Sequence, residues 1–238
     1  MRQRLPPGKS PLGFRLWSLG LSLLIAGCAG AEKTVQSTQV PPSASEPGPE
    51  LSVPAAPPAT VPPLASTSAE AALWAELAQA DEETYVVVLR HAIAPGTGDP
   101  ANFQLNDCAT QRNLSEAGRQ QAIAIGEAFR SHDIPVIEVL SSQWCRCLET
   151  AELMDIGPVE PFAPLNSFFR DRSTADAQTA QIQAYVTAQS RPGVVVMVTH
   201  QVNVTALSGV FPQSGSAVVL QLADGALTVA GQLPAPSS

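Results

Sequence analysis

The chain is poor in charge, and poorer still in positive charge: 14% of its 238 residues are Asp, Glu, Lys or Arg, with 13 basic against 21 acidic. At a formal net charge of −8 it has no surplus of Lys and Arg to neutralise a phosphate backbone, so nucleic acid is not an expected partner. No apolar run reaches the roughly 20 residues that a membrane-spanning helix needs. Internal repeats are missing too, and Gly96-Thr97-Gly98 lacks the third glycine and the immediate helix of a dinucleotide-binding turn. No metal or other cofactor is expected. His91 and His200 have arginines near them in the pattern, which oppose a dication, and no Cys or carboxylate pair completes a tetrahedral set. What is plentiful is apolar surface, at 45% of residues, and proline. The 22 prolines are gathered rather than spread, so two kinds of chain are joined end to end.

Arg2, Arg4, Lys9 and Arg15 precede a short apolar run, Leu16 to Gly27, of the length of a secretory signal. It ends in Ile25-Ala26-Gly27-Cys28, which resembles the bacterial lipobox, where the leader is cleaved before a cysteine that then carries lipid. An ordinary signal peptide with an incidental cysteine is the alternative. Loss of residues 1–27 removes four basic groups and no acidic one, taking the charge from −8 to −12. From Ala29 to about Ser68 the chain is Pro, Ala, Ser, Thr and Val, with too few large apolar side chains to offset the entropy of ordering. It reads as a spacer; a proline-rich ligand for a partner domain would want a charged anchor pattern that it does not have. The expected organisation is a lipoprotein signal peptide over 1–27, a lipidated Cys28 and disordered tether over 28–68, a folded domain over 69–232 and a disordered tail over 233–238. Such a protein is expected to be extracytoplasmic, in the periplasm, and held to a membrane by its lipid.

Folded structure is expected from Ser68, as the cap of a helix through Leu73, Trp74 and Leu77. Tyr85 to Leu89 and Val194 to Val198 are continuous β-branched or apolar runs, the mark of strands buried on both faces. Between them the pattern gives a helix after Ser115 with Ala122, Ile125 and Phe129 on one face, a strand over Val136 to Leu140, a helix over Cys145 to Met154 and another over roughly Thr174 to Gln189. Ser216 to Leu222 and Leu227 to Val229, joined at Asp224-Gly225, form a hairpin at one edge. Strands alternating with helices predict a three-layer α/β domain, a mostly parallel sheet with helices on both faces.

Ligands in such sheets sit beyond the carboxyl ends of the strands. The first strand runs into Arg90-His91, the second into Ser141-Ser142 and on to Arg146, and the later buried strand into Thr199-His200. Two histidines and two arginines therefore converge on one rim. Arginine grips a phosphate through two parallel hydrogen bonds, and histidine can attack phosphorus. His132, at a helix end, is read as a surface residue suited to the helix dipole.

Four segments carry a family resemblance. Leu89-Arg90-His91-Ala92 looks like the Arg-His-Gly signature of the histidine phosphatase superfamily, with Ala where Gly is commoner. Leu114-Ser115-Glu116-Ala117-Gly118-Arg119-Gln120-Gln121-Ala122 resembles its Leu-Thr-x-x-Gly-x-x-Gln-Ala helix start, and Ser141 to Arg146 with Thr150-Ala151 resembles its Ser-Ser-Pro-x-x-Arg segment with trailing Thr-Ala. Val198-Thr199-His200 is similar to its last strand and second histidine. The resemblance spans about Thr84 to Leu222 and implies a phosphoglycerate-mutase-like fold. It implies His91 as nucleophile, with Arg90, Arg146 and His200 holding the transferred phosphoryl group, and thus a phosphatase acting on phosphorylated small-molecule or envelope substrates through phosphohistidine. A scaffold that binds such ligands without turnover, or a mainly structural envelope lipoprotein, are the alternatives. Gln201 and Asn203 fit either substrate contacts or a helix cap.

The expected gap is the general acid. Many members supply a glutamate in a Leu-x-Glu setting, whereas Leu165-Asn166 is followed by Ser167. Asp107, in the long loop after the nucleophile, is the first candidate and Asp171 the second. On the helix carrying Arg146, Cys147 shares a face with Thr150, Ala151 and Met154, while Cys145 points toward the rim. A Cys108 to Cys145 disulfide with Cys147 a buried thiol is therefore expected.

Overall fold

The computed structural model describes residues 66–236. The leader, Cys28 and almost all of the tether lie outside the described residues, as do Ser237 and Ser238. The elements run in the order α1 (Ser66–Ala78), β1 (Thr84–Arg90), α2 (Glu116–Ser131), β2 (Val136–Ser141), α3 (Cys145–Met154), β3 (Val159–Pro161), α4 (Ala175–Thr187), β4 (Gly193–Thr199), α5 (Gln201–Ser208), β5 (Ala217–Ala223) and β6 (Ala226–Leu233).

The six strands form one sheet in the order β3-β2-β4-β1-β5-β6. β3, β2, β4 and β1 run parallel, and β5 and β6 are antiparallel additions beside β1. Side chains alternate across the sheet, so the valine-rich central strands feed two cores. Val87, Leu89, Val196 and Val198 pack with Leu77, Phe129 and Met154 of α1, α2 and α3. Val86, Val88, Val195 and Met197 pack with Ile182, Val186 and Val204 of α4 and α5. This is the three-layer α/β domain that the alternation of elements predicts.

Three boundaries differ. α1 begins at Ser66, so Ser68 lies within its first turn instead of capping it. β3 is an extra edge strand of three residues that includes Pro161, too short to leave a periodic signal. β6 continues to Leu233, whose buried side chain belongs to the core, so the segment read as a tail starts inside the sheet. Among the described residues no helix is long and apolar enough to cross a membrane.

Candidate active site

The parallel strands end level with one another. Arg90 is in register with Thr199, and Ser141 with Val198. The ladder then runs one residue further: the His91 amide donates to the Thr199 carbonyl at 2.9 Å, and the Ser142 amide to the Val198 carbonyl at 2.9 Å. His91, Ser142 and His200 thus leave a rigid rim side by side, and Arg146 joins them from the first turn of α3. A cleft of about 380 Å³ opens over this rim, lined by Arg90, His91, Arg112, Arg146 and His200.

The ring geometry assigns the protons. Nδ1 of His91 lies 2.8 Å from the Ala92 carbonyl, which can only accept, so Nδ1 carries the hydrogen and Nε2 is bare. Nε2 accepts from Nε of Arg146 at 3.2 Å. Burial, reinforced by the Arg146 charge, drives the imidazole from its ordinary 6.5 to about 3, so it is neutral at physiological pH. His200 has the opposite arrangement. Its Nδ1 accepts from Arg146 at 3.4 Å, leaving Nε2 to donate to the Ser142 hydroxyl at 2.9 Å. Burial and then the neighbouring His91 and Arg146 hold it well below its ordinary value.

Positive charge comes from Arg90, Arg112 and Arg146 at the rim and from Arg170, which also lines the cleft. Arg112, on the loop before α2, was not singled out from the sequence; its Nε donates to the Gly98 carbonyl at 2.8 Å and its guanidinium also reaches Ala94. Arg90 donates to the Pro212 carbonyl at 3.0 Å, while its Nε is buried with no partner. Arg146 is fully engaged. Besides the two histidines it donates to Asp99 from both terminal nitrogens, at 2.7 and 3.2 Å, and to the Arg112 carbonyl at 3.2 Å.

The residues of the helix-start and Thr-Ala motifs hold the chain just beyond His91. Thr150 Oγ1 accepts from the Ala92 amide at 3.1 Å, and Gln121 Oε1 from the Ile93 amide at 3.1 Å. Ser115 donates to the Ile93 carbonyl and caps α2 by accepting from the Gly118 amide. Gly118 is dictated by this approach, because a Cβ there would stand 2.1 Å from the Ile93 carbonyl oxygen. Cys108 and Cys145 form a disulfide that ties the long loop to the start of α3. Cys147 is a buried free thiol, 3.5 Å from Nε2 of His200, and burial pushes it up to about 12, which leaves it unreactive.

His91, Arg90, Arg146 and His200 are brought together in the cleft. Asp107 and Asp171 are not. Each is exposed, lies outside the cleft lining and spends its carboxylate capping a short turn, Asp107 on the Ala109 amide and Asp171 on Ser173. This corrects the choice of Asp107 as general acid: a loop aspartate two residues before an open amide is occupied locally. Ser167 does line the cleft, so a hydroxyl stands where the resemblance leads one to look for a glutamate. Gln201 also lines it, whereas Asn203 is buried and donates to the Asn166 carbonyl at 3.1 Å. His132 caps the end of α2 and stacks on Trp74 with ring centroids 4.8 Å apart. Asp99, like Arg112, is a cleft residue that the sequence motifs do not mark. Its signal was its place in Gly96-Thr97-Gly98-Asp99, where Gly96 and Gly98 adopt positive φ and turn the loop back over the rim. Among the described residues no three His, Cys, Asp or Glu side chains gather into a metal-binding set.

A neutral imidazole with a bare nitrogen, facing a cleft walled by arginines, can attack an electrophile that carries negative charge. Compared with known proteins, the chain matches no curated sequence. Among solved structures it resembles the protein histidine phosphatase SixA complexed with tungstate, at 18% identity and a TM-score of 0.47, over 63% of this chain and 96% of that one. It also resembles a phosphoserine phosphatase from Entamoeba histolytica in complex with 3-phosphoglyceric acid, at 11% identity and 0.48, over 63% and 96%. A mycobacterial glucosyl-3-phosphoglycerate phosphatase aligns at 19% identity and 0.46, over 64% and 99%. Residues 86–161, the stretch that carries both His91 and Arg146, match the family model of the histidine phosphatase superfamily (branch 1).

Proposed function

We propose that the chain is a phosphatase that hydrolyses phosphate monoesters through a phosphohistidine at His91. The observation that carries this reading is the bare Nε2 of His91, neutral, buried and 3.2 Å from the guanidinium of Arg146. The match of residues 86–161 to the histidine phosphatase superfamily supports it. The arginines of the cleft neutralise the phosphoryl oxygens, and Nε2 displaces the alcohol or phenol. The Ala92 carbonyl, which accepts from Nδ1, stabilises the positive charge that the ring then bears. Water attacks the phosphohistidine, the N–P bond breaks, and phosphate leaves.

The cellular part of the reading rests on sequence alone. Cys28 carries the lipid, the residues between it and α1 serve as a spacer from the membrane, and the domain works outside the cytoplasm, in the periplasm. Cys28→Ser is then expected to move the protein out of the detergent phase on partitioning, and unchanged partitioning would remove the anchor.

Turnover of an aryl phosphate by the wild type, abolished in His91→Ala, tests the chemistry. Binding of inorganic phosphate with no turnover by the wild type would instead select a phosphate-ligand-binding module, a reading favoured by Ser167 at the place of an acid.

A further inference from the structure

The proposed reaction needs a proton for the departing alcohol, and neither Asp107 nor Asp171 reaches the cleft. Of the described residues lining it, Asp99 is the only carboxylate. It is 10% exposed in its side chain and lies flat against the guanidinium of Arg146, Oδ1 to NH1 at 2.7 Å and Oδ2 to NH2 at 3.2 Å. The Arg112 amide donates to Oδ1 at 3.2 Å and the Trp144 indole to Oδ2 at 3.1 Å.

Arg146 has five N–H donors, and all five are spoken for: one to His91, one to His200, one to the Arg112 carbonyl and two to Asp99. A phosphoryl group that engages both terminal nitrogens of the fork takes the place of Asp99. The carboxylate sits where two phosphate oxygens would sit, in the same bidentate geometry. The two edges of the guanidinium also divide the cleft. Nε faces His91, and the terminal nitrogens face Asp99. In an in-line displacement the leaving oxygen departs on the side of phosphorus away from the nucleophile, and Asp99, on a guanidinium edge that His91 does not occupy, is the carboxylate of the cleft lining that can follow it.

The geometry points to Asp99 as the general acid of this phosphatase, parked on Arg146 in the free enzyme and released to the leaving group when the phosphoryl group takes the guanidinium from it. This rests on the phosphatase reading above. On displacement from Arg146 the carboxylate takes up a proton, from the monoanionic phosphate ester or from solvent. In the first step it gives that proton to the ester oxygen as the P–O bond breaks and the His91 N–P bond forms. In the second, water attacks phosphorus, the N–P bond breaks, and the proton of the water returns to Asp99. One water is consumed, and one alcohol and one phosphate are released.

The switch in proton affinity arises from the same contacts. In the free enzyme burial raises the affinity of Asp99 for a proton, but the hydrogen bonds and charge of Arg146, with the Arg112 amide and the Trp144 indole, outweigh it and keep the carboxyl below its ordinary value. Once Arg146 is bound to phosphate, its contribution is lost and a negative neighbour replaces it, so burial and that neighbour favour the protonated acid against only the Arg112 amide and the Trp144 indole. The charged groups around Asp99 are Arg146 of α3, Arg112 of its own loop, and Arg170, whose guanidinium holds the Asp99 and Pro100 carbonyls. Arg170 grips backbone, so it steadies the loop without pairing with the carboxylate.

The test compares leaving groups. Asp99→Asn keeps the shape of the side chain and removes the proton. Its kcat/KM for an alkyl phosphate is expected to fall about 100-fold or more, and that for 2,4-dinitrophenyl phosphate, which leaves without a proton, less than about tenfold. Inorganic phosphate is expected to inhibit the variant at least as well as the wild type, since the competing charge is gone. Equal losses for both esters, or weakened phosphate inhibition, would make Asp99 a positioning residue for Arg146 and overturn the proposal. So would an unchanged alkyl rate. Asp99→Glu is expected to recover part of the alkyl activity, and a Glu variant as slow as Asn would also count against it. Failure of the wild type on both esters would defeat the phosphatase reading itself, and this inference with it.

Discussion

The floor of the cleft and its mouth are built on different terms. On the floor His91, Arg146 and His200 are 2%, 2% and 4% exposed, and each ring or guanidinium nitrogen that faces the protein has a named partner. At the mouth Phe169 and Phe211 are 48% and 69% exposed, on segments outside the helices and strands. The floor is fixed by strand register, which leaves little freedom to vary without losing the sheet. The mouth is free to vary because nothing in the core depends on it. On the proposed reading the nucleophile and its arginine belong to the floor, the acid to the loop above it, and choice of substrate to the mouth.

The largest effect should come from the floor. Arg146→Ala is expected to lower kcat/KM about 10³-fold, the scale of removing a charge-stabilising donor set, while Arg146→Lys, which keeps the charge but not the fork, loses less. Steady-state kinetics on the aryl ester decide it, and equal losses would mean that bidentate contact is irrelevant. The Ala variant also leaves Asp99 without its charge partner, though the Arg112 amide and the Trp144 indole still donate to it, so it should be less stable by about 1 to 3 kcal/mol. Adding Asp99→Asn should restore stability without restoring rate.

The seam between floor and mouth is the disulfide, which closes a separation of 37 residues. Replacing Cys108 and Cys145 by Ser is expected to cost on the order of 3 to 4 kcal/mol in urea unfolding, from the added entropy of the unfolded chain. Peptide mapping without reduction should find Cys108 joined to Cys145, and a link to Cys147 would break this picture of the loop.

Acid offers a way to weaken the floor alone. His91 and His200 are neutral when folded and ordinary when unfolded, so below about 6.5 the unfolded chain takes up protons that the folded one refuses. The stability from this source is whole above that pH. It is lost on acidification toward about 3, by up to about 1.4 kcal/mol per pH unit for each histidine. Urea midpoints between pH 7 and 4 should fall less steeply for His91→Asn, and an identical slope would contradict a buried neutral ring.

The same division explains how much could be read from the amino-acid order. β1 and β4 announce themselves as uninterrupted apolar runs, and the residue after a buried strand must emerge at the rim, so the sequence alone places His91 and His200 together. Arg146 could be added because it opens the helix that starts shortly after β2. Asp99 could not be reached this way. Its position depends on two glycines at positive φ, on Arg112 gripping the Gly98 carbonyl and on Arg170 holding Asp99 and Pro100 from far along the chain. Asp107, chosen from the same loop, has the right chemistry and the wrong neighbours. β3 escaped because three residues at an edge carry no period.

The smallest effect belongs to the mouth. Phe211→Ala should leave stability within about 0.5 kcal/mol, as an exposed substitution does. It should raise KM for an aryl ester a few-fold with kcat nearly unchanged. A fall in kcat at constant KM would move Phe211 from selection into chemistry.

The central claim is that His91 carries the phosphoryl group, and the most direct measurement is to trap it. Brief mixing with a ³²P-labelled phosphate monoester, followed by an alkaline denaturing quench, should leave label on His91 of the wild type, since phosphohistidine survives base and decays in acid. Because burial holds the His91 imidazole near 3, the label should still form at pH 5. Label that persists in acid, or that appears equally on His91→Ala, would contradict the account.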